Sequence, residues 1–370
     1  MSSSEPNPVK IALIGVGAVS EYHHLPGINL DPRATLTAIC DADPSLLEKR
    51  RDQWRVDVVS TDYEEICSHP DVDAVIVCTP NFTHVPISCA AAKAGKHIMC
   101  EKPLGLNAGE VRQMYETAEA NGVVHMTAFT YRFAPSMRYL KKLLQDGSLG
   151  EPRHFRSQRF LDLPETSWNW RQYKELAGAG DLFDMTIHRI DFAMDLLGPL
   201  KQVCGAVARF AERTVTADGK PCRPSTVDDW SALIGEFDSG AVGVWEGTTL
   251  AKGYGLNGFG HEWAEVNGSE GSAVYRLHKP NEIWLGKTGK DLDAVKVPDP
   301  FLVPAGSPRS PIEGEPATIF RYDLVWEFVS SIVEKRSAAP SFYDGLRAQM
   351  VADAVLESYA SKKWIDVSLT

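Results

Sequence analysis

Short apolar runs alternate with amphipathic stretches along the first third of the chain. Each run is apolar at several consecutive positions rather than at every second one, which is typical of strands covered on both faces in a parallel sheet. The stretches between the runs have helical spacing, with a start signal at Asp43-Pro44 and a stop signal at Gly95. This pattern predicts a doubly wound α/β fold. The predicted strands are 9–14, 36–40, 56–59, 74–78, 97–100 and 123–128.

The pattern changes after about residue 129. Strand-like runs follow a predicted helix over 135–145, and Asp238-Ser239-Gly240 and Asn267-Gly268 are hairpin signals between neighbouring runs. We therefore expect an antiparallel sheet with helices on one face. Its predicted strands are 154–160, 203–210, 230–237, 241–249, 262–266 and 273–277.

The last part of the chain returns to helical spacing. Residues 287–317 are rich in Pro, Gly and charge and are expected to form a long surface excursion. Helices over 319–334 and 345–361 and a short strand near Ile365 follow. The length of 370 residues fits about two domains. We place them at 1–129 and 130–370 and expect the C-terminal helices to pack back on the first domain.

Composition and charge narrow the class of protein. The chain is 44% hydrophobic and 24% charged, as in ordinary globular domains. Its net charge of −11 repels phosphate backbones and anionic lipids, so we expect no nucleic acid or membrane as a partner. Net charge describes the whole surface, however, and does not exclude a local basic pocket for one small anionic ligand.

Cysteine usage and the N-terminal residues bear on the cellular compartment. The seven cysteines are odd in number and none forms a C-x-x-C pair, which predicts reduced thiols in a cytoplasmic protein without a metal site. Residues 1–8 lack the basic start of a signal peptide. No run approaches the ~20 apolar residues that cross a bilayer.

The first predicted strand runs into a glycine-rich turn, Gly15-Val16-Gly17-Ala18-Val19-Ser20. The first glycine permits a tight turn, the second lets a pyrophosphate approach the backbone, and the helix N-terminus offers N–H groups to its charge. Asp41 ends the second strand about 20 residues further on, where a carboxylate binds the ribose 2′-hydroxyl of NAD and repels the 2′-phosphate of NADP. Together they predict NAD rather than NADP. A plain strand-to-helix turn and a turn residue before Asp43-Pro44 are the alternatives.

Polar segments stand where two further strands end, Thr79-Pro80-Asn81-Phe82-Thr83-His84 and Glu101-Lys102-Pro103. Ligands bind at the carboxyl ends of strands in open α/β sheets. We therefore expect both segments at the site, with Lys102 projecting a donor into the cleft. The alternative for Lys102 is a surface lysine paired with Glu101.

A third constellation lies on a predicted helix after Gly178-Ala179-Gly180. Residues at steps of three or four share one face of this helix, namely Asp181, Asp184, His188, Asp191 and Asp195. The other faces are so apolar that we expect the helix to be buried, and Asp184 and His188, at i and i+4, can hydrogen-bond each other. A carboxylate beside an imidazole orients the ring for general-base work. A solvated stripe and an Asp-x-x-x-His metal site are the alternatives.

Aromatic residues and an arginine are concentrated just upstream, in Trp168-Asn169-Trp170-Arg171-Gln172-Tyr173. Indole faces stack against sugar or nicotinamide rings, and the guanidinium group offers forked donors. The alternative for either tryptophan is core packing.

Taken in order, these segments resemble those of the Gfo/Idh/MocA oxidoreductases: Ile14-Gly15-Val16-Gly17, Thr79-Pro80-Asn81 with His84, Glu101-Lys102-Pro103, Tyr131-Arg132-Phe133, Trp170-Arg171 and Asp184-x-x-x-His188. The resemblance spans nearly the full chain. It implies an N-terminal Rossmann domain and a C-terminal α+β domain with an open, mainly antiparallel sheet. It also implies hydride transfer between NAD and a hydroxyl or keto carbon of a sugar, inositol or related polyol, by a homodimer or homotetramer assembled through that sheet.

The resemblance also implies roles for particular residues. Lys102 would hold the reacting hydroxyl and help move its proton, and His188, oriented by Asp184, would be the general base during oxidation. Cofactor contacts are expected from Gly15, Gly17, Ala18, Val19, Asp41, Thr79, Pro80, Asn81, His84, Glu101, Lys102, Trp170 and Arg171. Substrate contacts are expected from Lys102, Tyr131, Arg132, Trp168, Asp184 and His188. The chain departs from the family pattern at Ser20 and Tyr131, where Gly or Ala and Asn are usual.

Two other functions stay open at this point. Some members of that family keep NAD bound and oxidise a sugar carbon transiently, which acidifies the neighbouring C–H and allows a glycosidic bond to be cleaved by elimination without net redox change. The other alternative is a cofactor-binding regulatory protein without catalysis. The presence of Lys102, Asp184 and His188 together argues against it.

Overall fold

Six parallel strands form the first sheet in a computed structural model that describes residues 7–255 and 260–367. The strands are β1 (Val9–Ile14), β2 (Ala34–Cys40), β3 (Val58–Ser60), β4 (Ala74–Val77), β5 (His97–Cys100) and β6 (His125–Thr127). Their order is β3-β2-β1-β4-β5-β6, as in dinucleotide-binding doubly wound sheets. The predicted parallel sheet is confirmed.

Helices cover both faces of this sheet, as the continuous apolar runs predict. On β1, Ile11 and Leu13 belong to one hydrophobic cluster, whereas Ala12 and Ile14 belong to another on the opposite face. The helices are α1 (Leu25–Leu30), α2 (Pro44–Trp54), α3 (Tyr63–Ser68), α4 (His84–Lys93) and α5 (Ala108–Ala120). The predicted start signal at Asp43 is confirmed, because its carboxylate caps α2.

Nine strands form the second sheet. They are β7 (Pro152–Phe160), β8 (Leu200–Ala208), β9 (Trp230–Phe237), β10 (Val242–Thr248), β11 (His261–Gly268), β12 (Gly271–Arg276), β13 (Glu282–Lys287), β14 (Lys290–Lys296) and β15 (Ile365–Asp366). Their order is β14-β13-β12-β11-β7-β10-β9-β8-β15. Only the β7–β10 pair is parallel among these strands, so the sheet is mainly antiparallel, as predicted.

The hairpin of β13 and β14 corrects one prediction. Residues 287–317 were expected to form a surface excursion, but 290–296 are the edge strand of the second sheet. Every residue of β14 is exposed. Leu292 and Ala294 do alternate with Asp291 and Asp293 in β14, but this short pattern stands among Pro, Gly and charged residues, so the segment reads as a loop.

Six α-helices of the described residues belong to the second half. They are α6 (Pro135–Gln145), α7 (Lys174–Ala177), α8 (Ile187–Leu197), α9 (Pro316–Ile319), α10 (Asp323–Glu334) and α11 (Phe342–Ser361). Of these, α6, α8 and α11 pack against strands of the second sheet. The long helix α11 joins both hydrophobic clusters: Phe342 and Leu346 pack in the cluster of Ile14, whereas Val351 and Val355 pack in the other. No helix in 7–255 or 260–367 is long and apolar enough to span a membrane.

Candidate functional site

A cavity of about 1020 Å³ lies where the carboxyl ends of β1, β2, β4 and β5 face β7 and the start of α8. Its volume is at the upper end of the ~300–1,000 Å³ range of small-molecule sites. The predicted site residues that line it are Gly15, Gly17, Ala18, Val19, Asp41, Thr79, Pro80, Asn81, His84, Glu101, Lys102, Tyr131, Trp170, Arg171, Asp184 and His188. Arg132 and Trp168 do not line it.

The two glycines of the turn after β1 differ in what surrounds them. Gly15 has a φ of +88°, and a Cβ there would lie 2.7 Å from the backbone of Cys78, so this turn packs directly on the end of β4. A Cβ at Gly17 would meet nothing within 4 Å. Because Gly17 lines the cavity, this space lets a ligand approach the backbone of the turn.

The Asp41 carboxylate lies beside this turn. Its Oδ2 accepts a hydrogen bond from the Val16 N–H at 2.8 Å, and its Oδ1 accepts one from the Asp43 N–H at 3.0 Å. Asp41 therefore organises the turn before Asp43 and also lines the cavity. The Ser20 hydroxyl, at the third position of the turn, is fully buried and donates to the Gly15 carbonyl oxygen at 2.5 Å.

His84 holds the two polar strand ends together. Its Nδ1 lies 2.7 Å from the Pro103 carbonyl oxygen, and its Nε2 lies 2.8 Å from that of Thr79. Asn81 donates to the Ala177 carbonyl oxygen at 2.9 Å. His84 and Asn81, which are expected from the sequence to contact the cofactor, thus also hold the walls of the cavity together through these hydrogen bonds.

Lys102 pairs with Asp184 rather than with Glu101. Its Nζ donates to Asp184 Oδ1 at 2.9 Å and to the Asp184 carbonyl oxygen at 2.6 Å. The Glu101 carboxylate instead lies 2.8 Å from Nε2 of His24. The alternative of a surface Lys102 paired with Glu101 is therefore wrong. Lys102 precedes a cis peptide bond to Pro103.

The Lys102–Asp184 contact is an ion pair at neutral pH. Burial raises the pKa of the Asp184 carboxyl, but the Lys102 ammonium and the Arg171 guanidinium outweigh burial and hold that pKa below its usual value. The side chain of Lys102 is 13% exposed, so the pair is largely shielded from water while it faces the cavity.

His188 is neutral at neutral pH. Burial, together with the Lys102 and Arg321 cations, places the pKa of its imidazole well below the usual value. Its ring packs edge-on against Tyr131, with 4.7 Å between the ring centroids, and its Nδ1 has no hydrogen-bond partner. A neutral imidazole at the wall of a cavity can accept a proton.

The predicted hydrogen bond between Asp184 and His188 does not form within the described part of the chain. The Asp184 carboxylate is bonded to Lys102 instead. The segment Leu182–Thr186 is a π-helix, in which hydrogen bonds join residues i and i+5, so the α-helical spacing behind the prediction does not apply. Asp184 therefore positions Lys102 and not the His188 ring.

The other acidic residues of the predicted stripe bond to side chains behind the cavity and do not line it. Asp181 is fully buried and accepts hydrogen bonds from the hydroxyl groups of Thr186 and Ser231. Asp191 and Asp195 form ion pairs with Arg132. A solvated stripe is therefore wrong for these residues. Within 7–255 and 260–367, no group of three or more His, Cys, Asp or Glu residues is arranged to hold a metal ion.

Two predicted substrate contacts lie outside the cavity. Arg132 forms ion pairs with Asp191, Asp195 and Asp344, because it follows Tyr131 on a short 3-10 helix and its side chain leaves on another face. Trp168 packs against the guanidinium group of Arg213. By contrast Trp170 lines the cavity and stacks with Arg171, whose guanidinium carbon is 4.4 Å from the ring centroid.

Two further arginines of the cavity were not predicted. Arg159 on β7 is 5% exposed and follows Phe155 and Ser157 on the buried face of the strand. A charge at an inward position of an alternating strand is a signal that sequence reasoning could have used. Arg321 lies in a short 3-10 helix before α10, and its sequence carries no comparable signal.

The residues at the first sheet fit a dinucleotide. The space at Gly17 admits a pyrophosphate, and the first N–H groups of the helix that starts at Ala18 have no partners within that helix. Asp41 stands at the end of β2, where a ribose would lie. The space at Gly17, the N–H groups of the helix and the Asp41 carboxylate are all formed by the protein itself.

Comparisons with known proteins agree with this geometry. Residues 9–129 match the Gfo/Idh/MocA oxidoreductase family model, described as an NAD-binding Rossmann fold, and residues 137–274 match the Gfo/Idh/MocA C-terminal domain. The chain is 31% identical over 390 aligned residues to levoglucosan dehydrogenase of Pseudarthrobacter phenanthrenivorans, covering 97% of this chain and 98% of the relative. It is 28% identical over 367 residues to inositol 2-dehydrogenase of Rhizobium meliloti, covering 97% and 99%.

A solved structure is similar to this chain over nearly its full length. A structure of levoglucosan dehydrogenase in complex with NADH and levoglucosan superposes with a TM-score of 0.87 at 28% identity. The superposition covers 98% of this chain and 100% of that one. The similarity of fold therefore extends over both sheets.

Proposed function

Since this chain belongs to the Gfo/Idh/MocA family of NAD-binding oxidoreductases, we propose that it transfers a hydride between NAD and a hydroxyl or keto carbon of a sugar, inositol or related polyol. The observation that carries the proposal is that Lys102, Asp184 and His188 line the same cavity as the glycine-rich turn. Relatives named for levoglucosan and inositol support this substrate class.

The cofactor end of the cavity selects NAD. Bound NAD supplies the hydride acceptor at its nicotinamide ring. The glycine-rich turn would hold its pyrophosphate, and the Asp41 carboxylate would accept hydrogen bonds from the ribose hydroxyls. A 2′-phosphate would face the same carboxylate and be repelled, so NADP is disfavoured.

Lys102 holds the reacting oxygen of the substrate. An ammonium group has three N–H donors, and the two contacts with Asp184 use two of them. The third donor is left for the substrate hydroxyl oxygen. Because the ammonium stays charged beside Asp184, it stabilises the negative charge that develops on that oxygen as the hydroxyl proton leaves.

His188 accepts the hydroxyl proton during oxidation and returns it during reduction. Its imidazole is neutral because burial and nearby cations lower its pKa, so the base is ready without prior deprotonation. Its orientation comes from packing against Tyr131 and Phe129, and Asp184 acts through Lys102.

The test is NADH formation from a substrate panel. The protein is mixed with NAD and, separately, with levoglucosan, inositols, aldohexoses and their acids, and NADH absorbance is followed. We expect NADH with at least one of these compounds. Cleavage of an aryl glycoside by protein with bound NAD, without net NADH formation from any polyol, would contradict the proposal.

A further inference from the structure

The cavity around His188 carries an excess of positive charge. Lys102, Arg159, Arg171 and Arg321 all line it. The carboxylates of the lining are Asp41, which lies beside the glycine-rich turn, Glu101, which pairs with His24, and Asp184. Glu101 also accepts a hydrogen bond from the backbone N–H of Lys102 at 3.3 Å, and Asp184 pairs with the Lys102 ammonium group.

Arg321 has no charged partner among the described residues. Its Nη2 lies 3.4 Å from the Tyr131 hydroxyl oxygen, and its Nη1 lies 3.4 Å from Nε2 of His23. His23 is neutral, since burial, together with Arg321, lowers the pKa of its ring to about 3. The Nε of Arg321 is buried without a hydrogen-bond partner. Arg321 is half-buried and lines the cavity, and the contacts of its guanidinium group are with neutral side chains, so its charge is available to an anion in the cavity.

Arg159 adds to this charge. Its Nη1 donates to Glu262 at 3.0 Å, but Arg189 lies 3.8 Å from the same carboxylate oxygen. Two buried guanidinium groups therefore share the Glu262 carboxylate. The Nε of Arg159 is also buried without a partner, on a side chain that is 95% shielded from solvent.

Tyr131 links this charge to the reacting centre. Its ring packs on His188, and its hydroxyl group contacts Arg321. Arg321 therefore stands one side chain away from the proposed base, whereas the pyrophosphate position lies at the glycine-rich turn. Arg171 stacks on Trp170, which the sequence assigns to the cofactor.

We propose that the substrate is a sugar acid, a polyol that carries a carboxylate, and that Arg321 binds this carboxylate with support from Arg159. The inference rests on the proposed dehydrogenase function and narrows its substrate class. A guanidinium fork matches a carboxylate with two parallel hydrogen bonds, and such charge-assisted bonds are stronger than bonds to a neutral hydroxyl group. Levoglucosan and inositol, for which the relatives above are named, carry no charge.

The test compares kcat/KM for matched pairs of sugars in which a neutral sugar and its acid differ only at one carbon, such as glucose and glucuronate or galactose and galacturonate. We expect the wild-type protein to favour the acid of its preferred pair by at least ~10-fold, the effect of one charge-assisted hydrogen bond. In Arg321→Gln this ratio falls by at least ~10-fold, mainly through KM, and Arg321→Lys restores part of it.

Two controls separate this effect from others. Arg153→Gln removes an exposed positive charge from the same strand as Arg159 and leaves the acid-to-neutral ratio unchanged. The Kd of NAD, measured by tryptophan fluorescence, is the same in Arg321→Gln as in the wild type, because Arg321 serves the substrate. The wild-type comparison of sugars needs no variant, so it decides the matter even if a substitution prevents folding.

The outcomes that would overturn the inference can be distinguished from the outcome that would overturn the proposed function. Equal kcat/KM for acids and neutral sugars, or a preference for a sugar phosphate over the sugar acid, would overturn the inference and leave the dehydrogenase intact. Weaker NAD binding in Arg321→Gln with an unchanged sugar preference would assign Arg321 to the cofactor and overturn it too. No NADH from any sugar or acid would overturn the proposed function itself and the inference with it.

Discussion

The proposed role of His188 as a base depends on its imidazole being neutral. Burial and the Lys102 and Arg321 cations place the pKa of its imidazole well below the usual 6.5. A base is active in its deprotonated form, so oxidation loses His188 only when the pH falls through this lowered pKa. We expect kcat/KM for oxidation to stay level with respect to His188 from pH 8 down through about pH 6.5, and to decline only at more acidic pH, where the lowered pKa is reached.

A His188→Asn variant checks that this profile belongs to His188. General-base catalysis typically contributes ~100-fold or more, so kcat should fall by at least that factor in the variant. The decline of kcat/KM at acidic pH should also disappear. The rise in melting temperature on adding NAD should be retained. An acid limb with a midpoint at or above the usual 6.5 in the wild type, or an unchanged limb in the variant, would assign the proton transfer to another group.

Asp41 is the residue proposed to control the choice between NAD and NADP. Its carboxylate lines the cavity at the end of β2, so Asp41→Ala should raise the Kd of NAD and lower that of NADP, changing their ratio by ~10-fold or more. Asp43→Ala is the matched control, because Asp43 caps α2 and does not line the cavity. The idea fails if the wild type already prefers NADP or if both variants change the ratio equally.

Single residues show where reasoning from sequence succeeds and where it stops. That Lys102 and His188 line the cavity could be predicted, because residue type and position at a strand end or on an apolar helix suffice to nominate them. The partner of Asp184 could not, because a π-helical turn changes which side chains face each other and leaves no mark in the apolar pattern. The pairing of Arg132 depends on Asp344, which lies more than 200 positions away.

The glycine-rich turn packs on the end of β4 and is proposed to bind the cofactor. Gly15 serves the packing, and Gly17 leaves space for the cofactor. In Gly15→Ala the new Cβ would lie 2.7 Å from the Cys78 backbone at a φ of +88°, so we expect a lower melting temperature with and without NAD. In Gly17→Ala nothing lies within 4 Å, so the free protein should keep its melting temperature while the NAD-induced rise is lost. Calorimetry measures both. A full NAD-induced rise in Gly17→Ala would place the pyrophosphate elsewhere.

Arg132 fastens three elements behind the cavity. Its guanidinium group joins the 3-10 helix Thr130–Phe133 to α8 through Asp191 and Asp195 and to α11 through Asp344. Removing one partner of a buried ion pair leaves an unpaired buried charge, so Arg132→Met should lower the free energy of unfolding by about 3–5 kcal/mol. Urea denaturation measures this.

The control for Arg132 is an arginine in a more exposed pair. Arg336 bonds Glu327 and Glu334 with 40% of its side chain exposed, and Arg336→Met should cost about 1 kcal/mol or less. Equal losses of unfolding free energy in the two variants would mean that the Arg132 network does not fasten these elements.

The apolar strands of the first sheet were predicted, whereas the β13–β14 hairpin of the second sheet was not, although Ile283 of β13 is fully buried. The parallel strands of the first sheet are continuous apolar runs, whereas β14 is exposed at every position and reads as a loop. The site formed by these elements depends on long-range pairing, which places β7 and α8 opposite the first sheet. No local pattern in either segment encodes that arrangement.

Over the whole molecule, charge is distributed unevenly. The chain carries a net charge of −11, yet the cavity wall around His188 is rich in guanidinium groups. A negative net charge disfavours polyanions such as nucleic acid at the surface, whereas the guanidinium groups are proposed to attract a single small anion into the cavity. The two-sheet fold and the family could be predicted from sequence. The domain boundary at 129/130, the oligomeric state and the cytoplasmic location stay predictions.

The central claim is that the protein oxidises a polyol with NAD in this cavity, with Lys102 as the donor to the reacting oxygen and His188 as the base. Its most direct test is the initial rate of NADH formation at saturating NAD and polyol, in the wild type and in Lys102→Met. We predict steady NADH formation by the wild type and a loss of ~100-fold or more in kcat in the variant, because the donor to the reacting oxygen is gone. NADH formation by Lys102→Met at the wild-type rate would contradict the account.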